Sequence, residues 1–139
     1  MNDLAGSPSV LPTGQREWIA VVDDDPSIRS SLARLLGAEG FDVETFACSR
    51  ALLAGIVPVA PACLVLDVHL GTESGFALQE TLAVTHPGVP VIFITGHDKI
   101  SSAELARRAG PDGFLRKPFD GDAIVGMIRR RTEILERRA

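Results

Sequence analysis

Short apolar runs alternate along this chain with segments whose apolar residues recur at helical spacing. The runs end in polar or turn residues, which is typical of buried strands. They occupy residues 18–22, 41–46, 63–67, 91–94 and 114–115. Helices are predicted by the spacing of apolar residues in the segments that follow. These segments are residues 26–36, 49–56, 75–86, 100–109 and 120–137. The pattern therefore predicts five successive strand–helix units.

This alternation predicts an α/β fold. In one domain of this size, it is typical of a parallel sheet with helices on both faces. We expect a flavodoxin-like, doubly wound, five-stranded parallel sheet with strand order 2-1-3-4-5, in which the first and third strands are neighbours. Asp25 and Pro26 are expected to open the first helix as its N-cap and first residue, while Gly37 and Gly40 are expected to end it.

Acidic residues follow two strands that this order makes neighbours. Asp23 and Asp24 come directly after the first strand, and Asp67 ends the third. Because ligands bind at the carboxyl ends of the strands in such sheets, we expect these three side chains to form a cluster. Clustered carboxylates either take up a proton or bind a cation, and oxygen donors with room for water suit Mg²⁺. Asp25 is better explained as a helix cap.

Two further polar residues follow the fourth and fifth predicted strands. They are Thr95 and Lys117. In the predicted order, their hydroxyl and ammonium groups flank Asp67 on the side away from the acidic pair. Taken singly, each is an ordinary turn or surface residue. Together with Asp67 and a divalent cation, they make a place that can receive a phosphoryl group, and aspartate is a known nucleophile toward phosphorus.

Composition limits the classes of function. The 139 residues suit one domain, and a net charge of −4 with a pI near 5.3 argues against direct nucleic-acid binding. The sequence has no apolar run long enough for a membrane span and no signal pattern, so we expect a cytoplasmic protein without membrane insertion. Cys48 and Cys63 are not expected to form a disulfide framework. Residues 1–16 are expected to be a flexible tail, and residues 17–139 the folded domain.

Several short motifs resemble those of one protein family. They are Val22-Asp23-Asp24, Leu66-Asp67, Gly75, Ile94-Thr95-Gly96, Gly113-Phe114 and Lys117-Pro118-Phe119. Each motif is weak alone, but the set, in this order and at this spacing, is specific. The chain resembles the receiver domain of bacterial two-component response regulators over about residues 18–127. The residues around Thr95 and Lys117 are most similar to receivers of the nitrogen-fixation regulator type.

The resemblance implies a chemical role for the acidic residues. Asp67 would accept a phosphoryl group from a phosphohistidine on a sensor histidine kinase or a phosphotransfer protein. Asp23, Asp24 and Asp67 would hold Mg²⁺, together with the backbone carbonyl of His69. His69 itself is not expected to form a transition-metal site, because the sequence offers no suitable partners for one.

The resemblance also implies how the phosphoryl group would be sensed. Thr95 and Lys117 would contact its oxygens, and Phe114 would be the switch aromatic that turns inward as the threonine moves. The bond between Lys117 and Pro118 would be cis, which an X–Pro bond permits at low cost. The activated domain would change its partner binding, or dimerise through the fourth helix, the fifth strand and the last helix.

Three positions depart from the family pattern. Gly71 stands where the family usually has proline, so the loop after Asp67 is expected to be looser. Asp98 follows His97 where glycine is common, and Phe114 lacks a tyrosine hydroxyl. These departures concern loop dynamics and the lifetime of the phosphoryl group, not its transfer.

Three functions are consistent with the sequence. The first is a stand-alone, single-domain response regulator that promotes its own phosphorylation and dephosphorylation but is not an enzyme. The second is a phosphohydrolase resembling the haloacid dehalogenases, in which Asp23, spaced from Asp25 by one residue, would be the nucleophile. The third is a receiver that serves only for docking and is never phosphorylated. Substitution of Asp67 distinguishes the first function from the second.

Overall fold

The computed structural model describes residues 17–96 and 100–138 of the chain. The predicted tail, His97 and Asp98 lie outside these residues. The elements, in chain order, are β1 (Trp18–Val22), α1 (Pro26–Ala38), β2 (Asp42–Phe46), α2 (Ser49–Gly55), β3 (Cys63–Asp67), β4 (His69–Leu70), β5 (Glu73–Ser74), α3 (Gly75–Thr85), β6 (Val91–Thr95), α4 (Ser102–Ala109), β7 (Phe114–Arg116) and α5 (Gly121–Arg138). All five predicted strand–helix units are present.

The five long strands form one parallel sheet in the order β2-β1-β3-β6-β7. Since β6 and β7 are the fourth and fifth predicted strands, the predicted order 2-1-3-4-5 is confirmed. Val22 at the end of β1 pairs with Leu66, and Asp67 pairs with Ile94 of β6. The carboxyl ends of β1, β3 and β6 therefore meet at one edge of the sheet.

Apolar side chains cover both faces of this sheet. Because successive residues of a strand point to opposite faces, Trp18, Ala20 and Val22 pack in one cluster, while Ile19 and Val21 pack in another. The first cluster includes residues of α2, α3 and α4, and the second includes residues of α1 and α5. Burial of apolar surface stabilises the fold by about 25 cal/mol per Å². Polar chemistry is thereby confined to the ends of the strands.

The first helix shows how local sequence sets an element's ends. The Asp25 carboxylate accepts a hydrogen bond from the backbone N–H of Ser27 at 2.8 Å, which confirms the predicted N-cap. The helix continues through Gly37 to Ala38, so the prediction that Gly37 ends it was wrong. Gly40 follows with φ of +94°, a conformation that glycine adopts readily.

A small hairpin that the apolar pattern did not predict lies directly after β3. Strands β4 and β5 are antiparallel and pair His69 with Ser74 and Leu70 with Glu73. Gly71 lies in the turn with φ of +63°. The strands have two residues each, too few for an alternating pattern to reveal them. The segment predicted as a looser loop is therefore hydrogen-bonded structure.

Candidate functional site

Three polar residues are buried where neighbouring strands end. Asp23 follows β1, Asp67 ends β3 and Thr95 ends β6, and their exposed fractions are 0%, 4% and 0%. Buried charged groups are rare unless they are paired or bind a metal. The strand order brings these three residues together, as the sequence predicted.

The three predicted acidic residues form a cluster. Each of Asp23, Asp24 and Asp67 places a carboxylate oxygen within 4.8 Å of the others. Two like charges at about 4 Å repel each other by about 4 kcal/mol at an effective dielectric constant near 20. Hard carboxylate oxygens at this spacing, one of them on the exposed Asp24, fit a magnesium ion that keeps part of its water shell. The donor set therefore suits Mg²⁺.

Lys117 lies between two of the carboxylates. Its Nζ is 2.8 Å from Oδ2 of Asp23 and 3.3 Å from Oδ2 of Asp67. The prediction that this ammonium group lies away from the acidic pair was therefore wrong. The backbone N–H of Lys117 donates to the carbonyl of Thr95 at 2.7 Å, which extends the pairing of β6 and β7 and directs the side chain into the site. The bond between Lys117 and Pro118 is cis, as the resemblance implied.

The surroundings of Asp67 make its carboxyl a weaker acid than usual. Burial raises the pKa of Asp67 from its usual 3.8 to about 6. The N–H of His69, which donates to Oδ1 of Asp67 at 3.1 Å, opposes this increase, whereas the charge of Asp23 adds to it. The charge of Lys117 and its hydrogen bond also lower the pKa of Asp67, but by less than burial raises it. Asp67 still carries its charge at neutral pH.

The pKa of Lys117 shifts in the direction that keeps it charged. Burial alone would lower the pKa of this ammonium group, but the hydrogen bond to Asp23 and the attraction to Asp67 raise it above its usual value. One cation is therefore fixed between two anions. The ammonium group of Lys117 can also pair with a ligand that carries negatively charged oxygens.

Other predicted residues lie at the expected places along the sheet. Thr95 lies one residue beyond Ile94, the partner of Asp67, and is in register with Arg116 of β7. Phe114 is partly buried, pairs with Phe93, and packs against the cluster on the α2–α4 face. These positions are compatible with the predicted roles, which remain predictions.

An open polar cavity of about 310 Å³ connects Asp24, Asp67 and Lys117 to solvent. It is lined by Asp24, Asp25, Asp67, His69, Gly71, Gly96 and Lys117. The cluster is thus buried on the strand side and open on the loop side.

Backbone groups that the side-chain pattern did not reveal also hold the site. The N–H of Asp25 donates to Oδ1 of Asp23 at 2.9 Å, and the N–H of Gly71 donates to Oδ2 of Asp24 at 2.9 Å. The guanidinium of Arg29 donates to the carbonyl of Asp23 at 2.8 Å. The first contact follows from the short Asp-x-Asp spacing, which favours a side-chain-to-backbone turn. The other two join separate elements and left no signal in the sequence.

Comparison with known proteins assigns the family. Residues 19–129 match the family model described as the response regulator receiver domain. The chain is 38% identical over 131 residues to nodulation protein W of Bradyrhizobium diazoefficiens, covering 94% of this chain and 58% of that protein. It is 36% identical over 116 residues to the DNA-binding transcriptional regulator NtrC of Salmonella typhimurium, covering 84% of this chain and 25% of that protein.

Solved structures share the architecture. A CheY-like receiver domain protein from Methanospirillum hungatei gives a TM-score of 0.78 at 27% identity, covering 88% of this chain and 98% of that one. The response regulator StyR gives a TM-score of 0.77 at 40% identity, covering 88% of this chain and 63% of that one. The chain therefore belongs to the family of response regulator receiver domains, signal-transduction modules of two-component systems. It spans 58% or less of the two curated relatives described above.

Over residues 17–96 and 100–138, no helix combines the length and the apolar character needed to cross a bilayer.

Proposed function

We propose that this protein is a phosphoacceptor module in which Asp67 takes a phosphoryl group from a phosphohistidine of a sensor histidine kinase or phosphotransfer protein. Membership of the receiver family supports this class of donor. The observation that carries the proposal is the position of Asp67. It ends a central strand, faces an open polar cavity, and lies beside two other carboxylates and the Lys117 ammonium group.

In the proposed reaction, a carboxylate oxygen of Asp67 attacks the phosphorus atom. The bond from oxygen to phosphorus forms, and the bond from phosphorus to the imidazole nitrogen breaks with its electron pair remaining on the imidazole. With a pKa of about 6, Asp67 is mostly ionised at neutral pH and ready to attack. Such transfers depend mainly on positioning and on compensation of charge.

Lys117 and Thr95 are proposed to bind the transferred group. Lys117 already touches Asp67 at 3.3 Å, so its ammonium group can follow the new negative charge on the phosphoryl oxygens. The buried Thr95 ends the strand beside Asp67, and its hydroxyl would donate to a phosphoryl oxygen. The two residues would hold the product on the cavity side of the sheet.

Asp23, Asp24 and Asp67 would hold Mg²⁺, with the carbonyl of His69 as a fourth protein ligand. When bound, the ion offsets the repulsion among the carboxylates and the charge of the phosphoryl oxygens. The spacing of the carboxylate oxygens supports this assignment.

The proposed output is a change on the surface formed by α4, β7 and α5. Movement of Thr95 toward a phosphoryl oxygen would free space for Phe114, which is only partly buried on β7. The altered surface would then bind a partner or a second copy of the chain. We further propose that the domain acts as a cytoplasmic receiver, that it is not an enzyme beyond its own phosphorylation and dephosphorylation, and that it binds no nucleic acid directly.

The phosphohydrolase alternative has less support. Asp23 would be its nucleophile, but this side chain is fully buried, and both of its carboxylate oxygens already accept hydrogen bonds, from Asp25 and Lys117. Asp67 has the more open position on the cavity. The docking-only alternative is disfavoured because the complete set of acidic and basic groups is assembled.

Labelling with a small phosphodonor tests the function. Wild-type protein treated with acetyl phosphate and Mg²⁺ should gain one phosphoryl group by intact-mass analysis, and Asp67→Asn should gain none. Asp25→Asn is the matched control, because asparagine also caps helices and the residue lies outside the three-carboxylate cluster. Full labelling of Asp67→Asn would exclude Asp67 as the acceptor, and a label mapped to Asp23 would favour the phosphohydrolase.

A further inference from the structure

Asp24 differs from the other two carboxylates in its exposure. Asp23 and Asp67 are held by surrounding structure, whereas Asp24 is exposed to solvent. An exposed aspartate beside two like charges gains free energy by rotating away from them. One of its carboxylate oxygens nevertheless remains within 4.8 Å of a carboxylate oxygen of Asp23 and one of Asp67. Some contact must hold the side chain in place.

The backbone N–H of Gly71 supplies this contact. It donates to Oδ2 of Asp24 at 2.9 Å, across 47 residues of sequence. A hydrogen bond to a charged acceptor is about twice as strong as one between neutral groups. One carboxylate oxygen of Asp24 is thus bound to the hairpin, while the other remains available to a cation.

The backbone conformation of Gly71 excludes proline. Its φ of +63° is a left-handed conformation that glycine adopts without cost and proline cannot adopt. Proline would also remove the N–H. A Cβ at this position would lie 3.9 Å from Oδ2 of Asp24, an ordinary contact, so space alone does not demand glycine.

The hairpin that carries Gly71 is itself fixed at its other strand. Glu73 of β5 accepts hydrogen bonds from the N–H of Ser49 at 3.2 Å and from its hydroxyl at 2.8 Å, at the start of α2. Leu70 of β4 is buried in the core. These anchors keep the N–H of Gly71 directed at Asp24.

We propose that Gly71 is a positioning residue for magnesium binding, because its N–H holds Asp24 in the geometry of the acidic cluster before the ion arrives. This inference rests on the proposed function, which requires Mg²⁺ at the cluster. Hydrogen bonds that orient a metal ligand typically change metal affinity by about 10- to 100-fold. Removal of this N–H should therefore weaken Mg²⁺ binding by at least about tenfold.

Two variants of Gly71 distinguish the effect of losing the N–H from the effect of adding a side chain. Gly71→Pro removes the N–H and cannot adopt the positive φ, whereas Gly71→Asn keeps the N–H and tolerates that conformation. The dissociation constant for Mg²⁺ is measured by titration of backbone amide NMR signals around Asp67, with MgCl₂ as the only added ligand. We expect Gly71→Asn to bind within about threefold of wild type and Gly71→Pro to bind about tenfold more weakly.

A second measurement does not depend on the folding of the proline variant. The Gly71 amide of the wild-type protein should exchange with solvent slowly for a turn residue, and Asp24→Ala should accelerate this exchange about tenfold because the acceptor is lost. Unchanged exchange, or equal magnesium affinity of Gly71→Pro and wild type, would overturn this inference and leave the proposed function intact. Failure of wild-type protein to bind Mg²⁺ would instead overturn the proposed metal site itself.

Discussion

The two ends of the same central strands are buried equally but differ in their electrostatics. At the amino ends, β1 begins with Trp18, whose indole N–H donates to the carbonyl of Val59 at 3.0 Å, and β3 begins with the buried thiol of Cys63. At the carboxyl ends, the same strands lead into Asp23 and Asp67. Neutral groups are buried at one edge of the sheet and clustered charges at the other.

This difference separates the part of the molecule that stabilises the fold from the part that is proposed to perform chemistry. Burial of the indole at the amino edge removes apolar surface from water and leaves its N–H hydrogen-bonded. Burial of carboxylates at the carboxyl edge costs free energy, as the raised pKa of Asp67 shows. This unfavourable burial occurs at the place where a cation and a phosphoryl group are proposed to bind.

The largest change in stability is expected from a substitution at the amino edge. Trp18→Ala should lower the free energy of unfolding by about 3–5 kcal/mol, because a fully buried aromatic side chain is lost and a cavity remains. The indole also packs near the ring of Phe46, at 6.3 Å between centroids. Urea unfolding followed by far-UV circular dichroism measures the change.

Trp18→Phe is the matched control for this substitution. It keeps most of the apolar volume and loses only the hydrogen bond to Val59 and part of the ring, so its loss of stability should be clearly smaller. If Trp18→Ala cost less than about 1 kcal/mol, the amino edge would not be the stabilising part of the sheet.

At the carboxyl edge, by contrast, a substitution is expected to increase the stability of the fold. Asp67→Asn should raise the free energy of unfolding at neutral pH, without divalent cations, by up to about 3 kcal/mol, since one pKa unit corresponds to about 1.4 kcal/mol. In the wild-type protein, protonation of Asp67 favours the folded state. This contribution is complete below pH 3.8 and is lost as the pH rises through about 6.

The increase in the free energy of unfolding caused by Asp67→Asn should therefore be large at neutral pH and small near pH 4. Urea unfolding with EDTA at both pH values measures it, and Asp25→Asn serves again as the control. Addition of Mg²⁺ should stabilise wild-type protein and narrow the difference, because an ion that binds only the folded state stabilises it. A variant less stable than wild type at neutral pH would contradict the view that the carboxyl edge is electrostatically strained.

The smallest effect concerns the thiol at the amino edge. Burial raises the pKa of Cys63 to about 12, so its reactive thiolate is scarce, whereas Cys48 is partly exposed. Iodoacetamide should modify only Cys48 in the folded protein, and both cysteines in urea. Mass analysis counts the adducts, and Cys48→Ser should remain unmodified until it is unfolded. Equal modification of both cysteines in the folded protein would show that the amino edge opens as readily as the site.

The sequence by itself determined the five strand–helix units and which strands end in acidic side chains. Apolar runs ending in Asp23 and Asp67 predicted strands whose carboxyl ends bear charge, and Asp25 before Pro26 predicted a capped helix. These features depend on burial periodicity and on hydrogen bonds between neighbours in the chain. Such short-range effects are written directly into the order of residues.

The tertiary structure decided which groups touch. Lys117 contacts Asp23 across 94 residues instead of lying on the far side of Asp67, and the N–H of Gly71 reaches Asp24 from a hairpin too short to leave a periodic pattern. These contacts depend on the packing of β1, β3 and β7 at one edge and on the direction of single backbone groups. No local preference encodes either of these, because both arise only when distant segments are brought within hydrogen-bonding distance.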